Sequence, residues 1–215
     1  GKSDNYEFVK GLGHGGFGVV ELWRQLDGDE DLVVAKRIFV EDMTKMELEE
    51  VKQEAQILKM AQHPNIVRYV GSWVRKETND LIILQGYYTG GDMAQLIKEQ
   101  KSKRLIFPSA KVLRWVAQLA HALQYCHKVC RLVHRDLKPG NLFLVEDHSS
   151  IHLGDFGISR NLGSTASLCQ TFIGTQAYMS PEVTRMQSYG PKSDVWGFGA
   201  IIYELCTLRR LYPSL

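Results

Sequence analysis

Three features are absent or scarce in this chain of 215 residues, and each excludes a class of protein. No apolar run approaches the roughly 20 residues that a bilayer-spanning helix needs, so we expect no membrane partner. The 26 Lys and Arg residues nearly balance the 24 Asp and Glu residues. The net charge of +2 is far from the strongly basic character of nucleic-acid-binding domains, so we expect no nucleic-acid partner either.

Cysteine is scarce as well. The four cysteines, Cys126, Cys130, Cys169 and Cys206, have neither the paired spacing of metal ligands nor the density of a disulfide framework. Four reduced thiols in a cytoplasmic protein are the simplest interpretation. Apolar side chains, in contrast, are plentiful. Hydrophobic residues make up 44% of the chain, which is enough for a buried core and argues against disorder.

The clearest candidates for catalytic and metal-binding residues lie in two neighbouring motifs, HRDLKPGN from residue 134 and GDFG from residue 154. Asp136 can accept the proton of a hydroxyl group, and Lys138 can neutralise charge on a moving phosphoryl group. Asn141 and Asp155 carry the oxygen ligands that Mg²⁺ prefers. Any one of these residues could lie in an ordinary turn. At these fixed offsets, however, the set predicts transfer of a phosphoryl group from Mg·ATP to a hydroxyl.

A glycine-rich stretch near the start of the chain fits the pattern G-x-G-x-x-G. We favour the register of Gly13, Gly15 and Gly18, because it places Val20 on the next strand, against the base; a register beginning at Gly11 also fits. Since these glycines are expected between two strands, they do not match the dinucleotide-binding fingerprint, which needs a strand-to-helix turn. They match a flap whose backbone covers ATP phosphates, although a simple glycine-rich hairpin is the alternative.

Lys36 lies in a predicted strand whose alternation places it on an apolar face with Val34 and Ile38. An ion pair with a glutamate of the following helix would direct its ammonium group toward the α- and β-phosphates. We select Glu54 over the glutamates at positions 47, 49 and 50, because it directly precedes the apolar segment Ala-x-Ile-Leu. A solvent-exposed strand lysine is the alternative.

The chain is rich in strand patterns before a Gly/Tyr connector at 86–92 and helical after it. Ser109 is the predicted N-cap of a long helix. The last predicted helix is apolar nearly all round, so we expect it to be buried. Residues 157–174 are predicted to form a long loop. The remaining predictions are strands at 6–11, 19–26, 32–40, 67–74 and 81–85, and helices at 46–62 and 194–208.

These residues together resemble the eukaryotic protein kinases, and Lys138 is typical of Ser/Thr-specific members. The segments LGDFGISR, IGT, SPE, KSDVW and YELCTL, which begin at residues 153, 173, 180, 192 and 203, are similar to the NIMA-related (NEK) kinases. The resemblance implies an α+β, bilobal fold, with an antiparallel β N-lobe and one main helix at 1–86 and a mostly α C-lobe at 87–215. It also implies an incomplete C-lobe that lacks the final helices, so we expect a fragment.

The resemblance implies an activity: ATP-dependent, Mg²⁺-assisted phosphorylation of Ser and Thr on protein substrates. A catalytically impaired pseudokinase, or a module that binds nucleotide without turnover, is the alternative. A small-molecule kinase is disfavoured by the substrate-facing segments at 174–175 and 180–182. The resemblance also adds the cytoskeleton or the centrosome as a place of action for a cytoplasmic protein.

Further nucleotide contacts come only from the resemblance. They involve the backbone of Gly86 and Tyr88 at the adenine, Val20 and Val34 above the base, Phe143 below it, Gln85 as gatekeeper and Asp92 at the ribose. Asp92 has a second interpretation, because an aspartate just before a helix is also a favoured N-cap.

The resemblance assigns supporting roles too. Thr175 should contact Asp136 and Lys138 beside the substrate hydroxyl, and Asp194 should hold the backbone of the catalytic loop. A phosphate on Thr171, or failing that on Ser167, would pair with the arginine at position 135 after autophosphorylation or the action of an upstream kinase. The internal spine of the active state should be a stack of Leu58, Tyr69, His134 and Phe156.

Overall fold

A computed structural model describes residues 5–15, 18–27, 31–40, 43–75, 77–156, 176–185 and 187–212. Three predicted residues, Thr175, Thr171 and Ser167, lie outside the described residues. The chain divides into two compact units. The first unit comprises Gly1–Gln62 and Val67–Tyr87, and the second comprises His63–Ile66 and Tyr88–Leu215.

The first unit is built on an antiparallel sheet whose strands lie in the order β1-β2-β3-β5-β4. Its elements are β1 (Tyr6–Gly15), β2 (Gly18–Gln25), β3 (Leu32–Ile38), α1 (Lys45–Met60), β4 (Tyr69–Val74) and β5 (Leu81–Gly86). All of these were expected from the alternation and periodicity of the sequence. The largest difference in a strand boundary is at β1: the sequence predicts that it ends at Gly11, but pairing with β2 continues to the turn, where Gly15 lies opposite Gly18.

The two faces of this sheet differ in composition. One face carries a buried core cluster, of which Tyr6 and Trp73 form part of the border. The other face carries Lys36, which lies opposite Val20 on β2 and Ile83 on β5. Strand β5 is buried along most of its length, as expected for an apolar run in the interior of a sheet. The members of the core cluster are Trp23, Val33, Ala35, Ile82 and Leu84.

Helix α1 begins one residue before its predicted start and ends two residues before its predicted end. Three members of its predicted apolar stripe, Val51, Ala55 and Leu58, are buried, and α1 packs against β4. The chain then leaves the helical path before Pro64, and the backbone amide of Asn65 donates to Nδ1 of His63 at 3.0 Å. The predicted stop signal is thereby confirmed.

The second unit is mostly helical. It contains α2 (Met93–Lys103), α3 (Ser109–Lys128), β6 (Leu142–Leu144), β7 (Ile151–Leu153), α4 (Pro181–Thr184) and α5 (Pro191–Thr207). Strands β6 and β7 form a short antiparallel ladder, and α3 packs against both α5 and β7. Among the helices that the structure describes, none is both long enough and apolar enough to cross a membrane.

A four-residue segment, His63–Ile66, belongs to the second unit although it precedes the last two strands of the first. The carbonyl of Asn65 accepts from the backbone amide of Leu153 at 2.9 Å, and its side-chain amide donates to the carbonyl of Ile151 at 2.9 Å. Ile66 forms a parallel bridge with Leu153. The segment therefore extends the β6–β7 ladder on the β7 side.

The start of α3 differs from the prediction. Ser109 is the first helical residue, and the N-cap is Pro108, which has extended backbone angles and makes no side-chain cap. The carbonyl of Pro108 accepts from the backbone amides of Lys111 and Val112 at 2.9 and 3.1 Å. The Ser109 cap is therefore wrong by one residue: the ψ angle of Pro108, 133°, is non-helical, whereas Ser109 is already part of the helix.

The last helix also differs from the prediction. It starts at Pro191 rather than near Asp194, and proline is well suited to a first helical turn. Its expected burial holds for one face only: Ala200 and Ile201 are buried, whereas Val195 is 57% and Tyr203 is 40% exposed. An apolar circumference does not ensure burial, because α3 and the turn at Gln176–Tyr178 contact only part of the helix surface.

Candidate active site

In the first unit, the candidate nucleotide residues share one face of the sheet. Lys36 pairs with Val20 on one side, and Val34 pairs with Gln85 on the other neighbouring strand. Residues directly opposite each other on neighbouring strands point to the same face, and so do residues two apart along a strand. The fold thus places four predicted site residues on one surface.

The glycine-rich hairpin shows which glycine the backbone needs. A Cβ atom on Gly18 would lie 1.7 Å from the carbonyl oxygen of Arg37, so any side chain there would force β2 and β3 apart. At Gly11 and Gly13 no atom lies within 4 Å of the Cβ position. Packing therefore requires glycine at Gly18, which belongs only to the favoured register; nothing in the packing requires it at Gly13.

The last two residues of β5 are Gln85 and Gly86. The side chain of Gln85, the predicted gatekeeper, is buried, and its residue lies opposite Val34 and Tyr69 in the sheet. The backbone amide of Gly86 donates to the carbonyl of Arg68 at 2.8 Å. Because that amide is already engaged, Gly86 would have to accept a hydrogen bond from a purine with its carbonyl oxygen.

Glu54 lies within α1, but its side chain is not among those that the structure describes. The predicted ion pair with Lys36 therefore stays a prediction.

In the second unit, the connector before α2 is fixed against β6 and β7. The ring of Tyr88 stacks on that of His152, with 4.0 Å between the centroids. Gly90 lies so close to β6 that a Cβ would be 2.1 Å from the carbonyl oxygen of Val145. Asp92 forms an antiparallel bridge with Phe143. The backbone that should meet the adenine and ribose is thereby held by packing in its own unit.

Asp92 is the N-cap of α2, where its Oδ1 accepts from the backbone amide of Gln95 at 2.9 Å. The second interpretation given for this residue is thus confirmed. It leaves the ribose role as a prediction, since the cap uses only one of the two carboxylate oxygens.

The catalytic loop brings three predicted residues into direct contact. The ammonium of Lys138 lies 2.7 Å from Oδ2 of Asp136. The side-chain amide of Asn141 donates to the same oxygen at 3.1 Å and to the carbonyl of Asp136 at 2.7 Å. Residues Pro139–Asn141 form a single 3₁₀ turn, which folds the asparagine back toward the aspartate. The carboxylate is therefore oriented by a cation and by an amide.

His134 supports this loop from the interior. It is completely buried, its Nε2 lies 2.9 Å from the carbonyl of Gly154, and its Nδ1 lies 3.3 Å from the backbone amide of Asp136. A carbonyl can only accept and an amide can only donate, so the ring must be neutral with its proton on Nε2. Burial also lowers the pKa of His134, which favours this neutral form. Its ring contacts Phe156 at 4.8 Å, one contact of the predicted spine.

Asp194 holds the backbone of the loop, as the family resemblance implies. It is completely buried on α5 and accepts from the backbone amides of His134 at 2.8 Å and Arg135 at 3.1 Å, one to each carboxylate oxygen. Two further groups contact it: the hydroxyl of Tyr189 at 2.9 Å and Nε2 of His127 at 2.7 Å. The predicted anchor is confirmed.

Tyr189 and His127 were not found from the sequence. Neither belongs to the motifs that carry the resemblance, and His127 lies 67 residues from the aspartate that it contacts. The only local signal is Tyr189, which lies five residues before Asp194.

Two residues of the candidate site adopt left-handed backbone angles: Arg135, which precedes Asp136, and Asp155. The φ values are 68° for Arg135 and 53° for Asp155. Side chains other than glycine rarely adopt such angles, and they cost of order 1–3 kcal/mol each unless the surroundings enforce them. At Arg135 the hydrogen bond to Asp194 is one such constraint. Strain of this kind is common where side chains must be aimed at a ligand.

The residues predicted to hold Mg²⁺ have suitable chemistry. The amide nitrogen of Asn141 donates both of its described bonds to Asp136, which leaves Oδ1 as the atom for a cation. With the carboxylate of Asp155, this gives the two hard oxygen ligands typical of a magnesium site completed by phosphates and water. Among the described residues there is no group of three or more His, Cys, Asp or Glu that could hold a metal. The two oxygen ligands of Asn141 and Asp155 are of the kind that Mg²⁺ prefers.

The comparison with known families agrees with this geometry. The protein kinase domain family matches residues 6–214 of the chain. This chain belongs to the protein kinase family. Its five-stranded antiparallel sheet and its helices accordingly form a kinase-like α+β fold.

Relatives of this kinase domain carry NEK names, so the similarity to NIMA-related kinases is confirmed. The domain is 39% identical over 217 residues to serine/threonine-protein kinase nekl-2 of Caenorhabditis elegans, covering 98% of this chain and 60% of the relative. For serine/threonine-protein kinase Nek2 of Homo sapiens the identity is 36% over 211 residues, covering 96% and 47%. For serine/threonine-protein kinase Nek1 of Mus musculus it is 37% over 211 residues, covering 98% and 17%. The chain thus spans between 17% and 60% of the length of these relatives.

Proposed function

We propose that this kinase domain phosphorylates Ser and Thr hydroxyl groups of protein substrates, using ATP and Mg²⁺. The observation that carries the proposal is the contact of Lys138 and Asn141 with one oxygen of Asp136. The named relatives are serine/threonine-protein kinases, which supports the choice of acceptor. Mg·ATP would supply the phosphoryl group, and catalysis would depend on positioning and charge neutralisation.

In this proposal Asp136 accepts the proton of the substrate hydroxyl. Its Oδ2 is already engaged by two donors, which fixes the plane of the carboxylate. Lys138 is about one-quarter exposed, so its ammonium can contact both the carboxylate and an incoming phosphoryl oxygen. Asn141 and Asp155 would hold Mg²⁺. Thr175 would contact Asp136 and Lys138 beside the acceptor.

Nucleotide binding would draw on residues of each unit. From the first unit we propose the backbone of the glycine-rich hairpin at Gly13, Gly15 and Gly18 for the phosphates, and Lys36, paired with Glu54, for the α- and β-phosphates. Val20, Val34 and Gln85 would contact the base, and the carbonyl of Gly86 would accept from it. From the second unit we propose the backbone of Tyr88 and the side chains of Phe143 and Asp92, whose Oδ2 would meet the ribose.

The decisive experiment is phosphoryl transfer from radiolabelled ATP to generic protein substrates. Asp136→Asn should lower turnover by at least about 10²-fold while nucleotide affinity persists, because the amide cannot accept the proton. Lys36→Met should likewise cripple turnover. Asp147→Asn is a matched control, since this aspartate of the second unit is exposed and accepts a local bond from the backbone amide of Ser149.

The outcomes separate the candidate functions. Transfer to proteins that is lost in Asp136→Asn supports the proposal. Saturable nucleotide binding with no transfer in the wild-type chain supports the pseudokinase alternative. Wild-type rates in Asp136→Asn or Lys36→Met contradict the assigned roles.

Regulation by phosphorylation is a separate proposal. A phosphate on Thr171, or on Ser167, would form a charge-assisted pair with Arg135, whose strained backbone lies beside the proposed base. We expect Thr171→Ala to abolish the difference in activity between untreated and phosphatase-treated protein. Full activity of Thr171→Ala after phosphatase treatment excludes this threonine as the switch. The lobe boundary at 86–87 and an action at the cytoskeleton or centrosome also stay predictions.

A further inference from the structure

A pocket of about 300 Å³ lies on the face of the first sheet opposite Lys36. Its lining comes from four places in one unit: two residues of β1, two of β2, one of β3 and one just after β4. They are Tyr6, Phe8, Glu21, Trp23, Arg37 and Arg75. Because Lys36 points to the other face, this pocket is separate from the residues assigned to ATP, and it does not depend on the proposed function.

The polar groups of the wall are held in place. One oxygen of Glu21 accepts from the indole nitrogen of Trp23 at 2.8 Å, and the other accepts from Arg37 at 3.0 Å. A second terminal nitrogen of Arg37 donates to Asp80 at 2.9 Å. Both oxygens of Glu21 are thus occupied, and the charge of Arg37 is balanced by two carboxylates. These polar groups are thus held by bonds to one another, and each oxygen of Glu21 already accepts one hydrogen bond.

The donor that remains for a ligand is Arg75. The guanidinium of Arg75 lies 5.6 Å above the ring of Trp23, and among the described residues no carboxylate pairs with it. The remaining lining is aromatic, and Phe8 is 59% exposed. A fitting ligand therefore has an apolar ring and one acceptor group.

We propose that this pocket binds an aromatic carboxylate, either a free aromatic acid or the carboxy-terminal aromatic residue of a peptide. The ring packs on Tyr6 and Phe8, and the carboxylate accepts from the guanidinium of Arg75. A monoanion fits better than a phosphate, because Arg75 is the only guanidinium of the lining that lacks a carboxylate partner among the described residues. The volume is at the lower end of ligand pockets, which suits a single ring.

The test is a titration of the full ¹⁵N-labelled chain with N-acetyl-phenylalanine, followed by NMR. The chain has four tryptophans, and two of them, Trp115 and Trp196, lie in the second unit, where their indole signals serve as internal controls. We expect the signal of Trp23 to shift saturably, while those of Trp115 and Trp196 in the second unit stay fixed. N-acetyl-phenylalanine amide should bind at least about tenfold more weakly, since it lacks the charge that Arg75 recognises.

Two variants complete the test. Arg75→Gln should raise the dissociation constant at least about tenfold, whereas Lys111→Ala, which removes a cation 5.3 Å above the ring of Trp115, should leave it unchanged. Equal affinity for the acid and its amide overturns the proposal without any variant. Three other results would also overturn it: tighter binding of phenyl phosphate, equal shifts of all four indole signals, and no saturation below about 10 mM. Comparison of 3-phenylpropanoate with a peptide ending in Phe then tells a free acid from a peptide terminus.

Discussion

Asp194→Asn tests the claim that one buried carboxylate holds the catalytic loop. Each oxygen of Asp194 accepts one backbone amide of that loop, from His134 on Oδ2 and from Arg135 on Oδ1. An asparagine has a single oxygen. Whichever way its side chain turns, one of the two backbone amides must face an NH₂ group and lose its acceptor.

The magnitude follows from that geometry. A buried donor without a partner costs roughly 1–3 kcal/mol, and the surviving bonds also weaken because they are no longer made to a charge. The free energy of unfolding of the second unit should therefore fall by about 2–4 kcal/mol. Tyr189→Phe removes one donor and leaves no backbone group unpaired, so it should cost only about 1 kcal/mol.

The assays are urea unfolding of the wild-type chain and both variants, and phosphoryl transfer under conditions in which each variant is folded. We expect Asp194→Asn to lower turnover because the loop that carries Asp136 loses one of its two backbone anchors. If the free energy of unfolding of Asp194→Asn lies within about 0.5 kcal/mol of the wild-type value and turnover is unchanged, Asp194 does not stabilise the loop and the reasoning is refuted.

Gly18→Ala should lower the free energy of unfolding by roughly 1–3 kcal/mol, because its Cβ would overlap the carbonyl of Arg37. Gly13→Ala, which has open space at its Cβ, should leave this free energy unchanged. Equal urea midpoints for the two variants would contradict the prediction. Stability should also depend on pH. Burial lowers the pKa of His134 and His152 below the ordinary value of 6.5, so the unfolded chain binds protons that the folded chain does not. Stability should be full above about pH 6.5 and should fall as the pH falls through that value, by up to about 1.4 kcal/mol per pH unit for the fully buried His134 and by less for His152. In unfolding measured between pH 5 and 7.5, His152→Phe should keep the stack on Tyr88 and flatten the slope; an unchanged slope would show that His152 does not titrate in this way.

Local patterns predict much of this fold. Alternation at Val34 and Lys36 and the apolar stripe of Val51, Ala55 and Leu58 depend on near neighbours, and the structure contains the strand and helix that they predict. The predictions of two element boundaries were wrong, and each error has a structural cause. The end of β1 is set by its ladder to β2, and the cap of α3 by the backbone of Pro108. Hydrophobic periodicity shows neither the partner of a strand nor the ψ angle of the residue before a helix.

The candidate site was predictable only in part. The contact of Asp136 with Lys138 and Asn141 arises within six residues, so the motif contains it. The contacts of Asp194 with the loop are 59 and 60 residues apart along the chain, and they were expected from family resemblance alone. His127 was missed because nothing in its neighbourhood indicates which carboxylate it meets. Long-range pairing of buried polar groups has no signature in a single sequence.

The segment His63–Ile66 has a consequence for any attempt to take the protein apart. Because these residues complete the second unit and are followed by β4 and β5 of the first, the chain passes from one unit to the other three times. No single cut yields both units intact: a fragment beginning at Tyr88 lacks the strand-like neighbour of β7, with its bonds to Ile151 and Leu153. A single recombination between related genes likewise cannot exchange either unit whole. Expression of the second unit alone would therefore require these four residues to be supplied again as a graft.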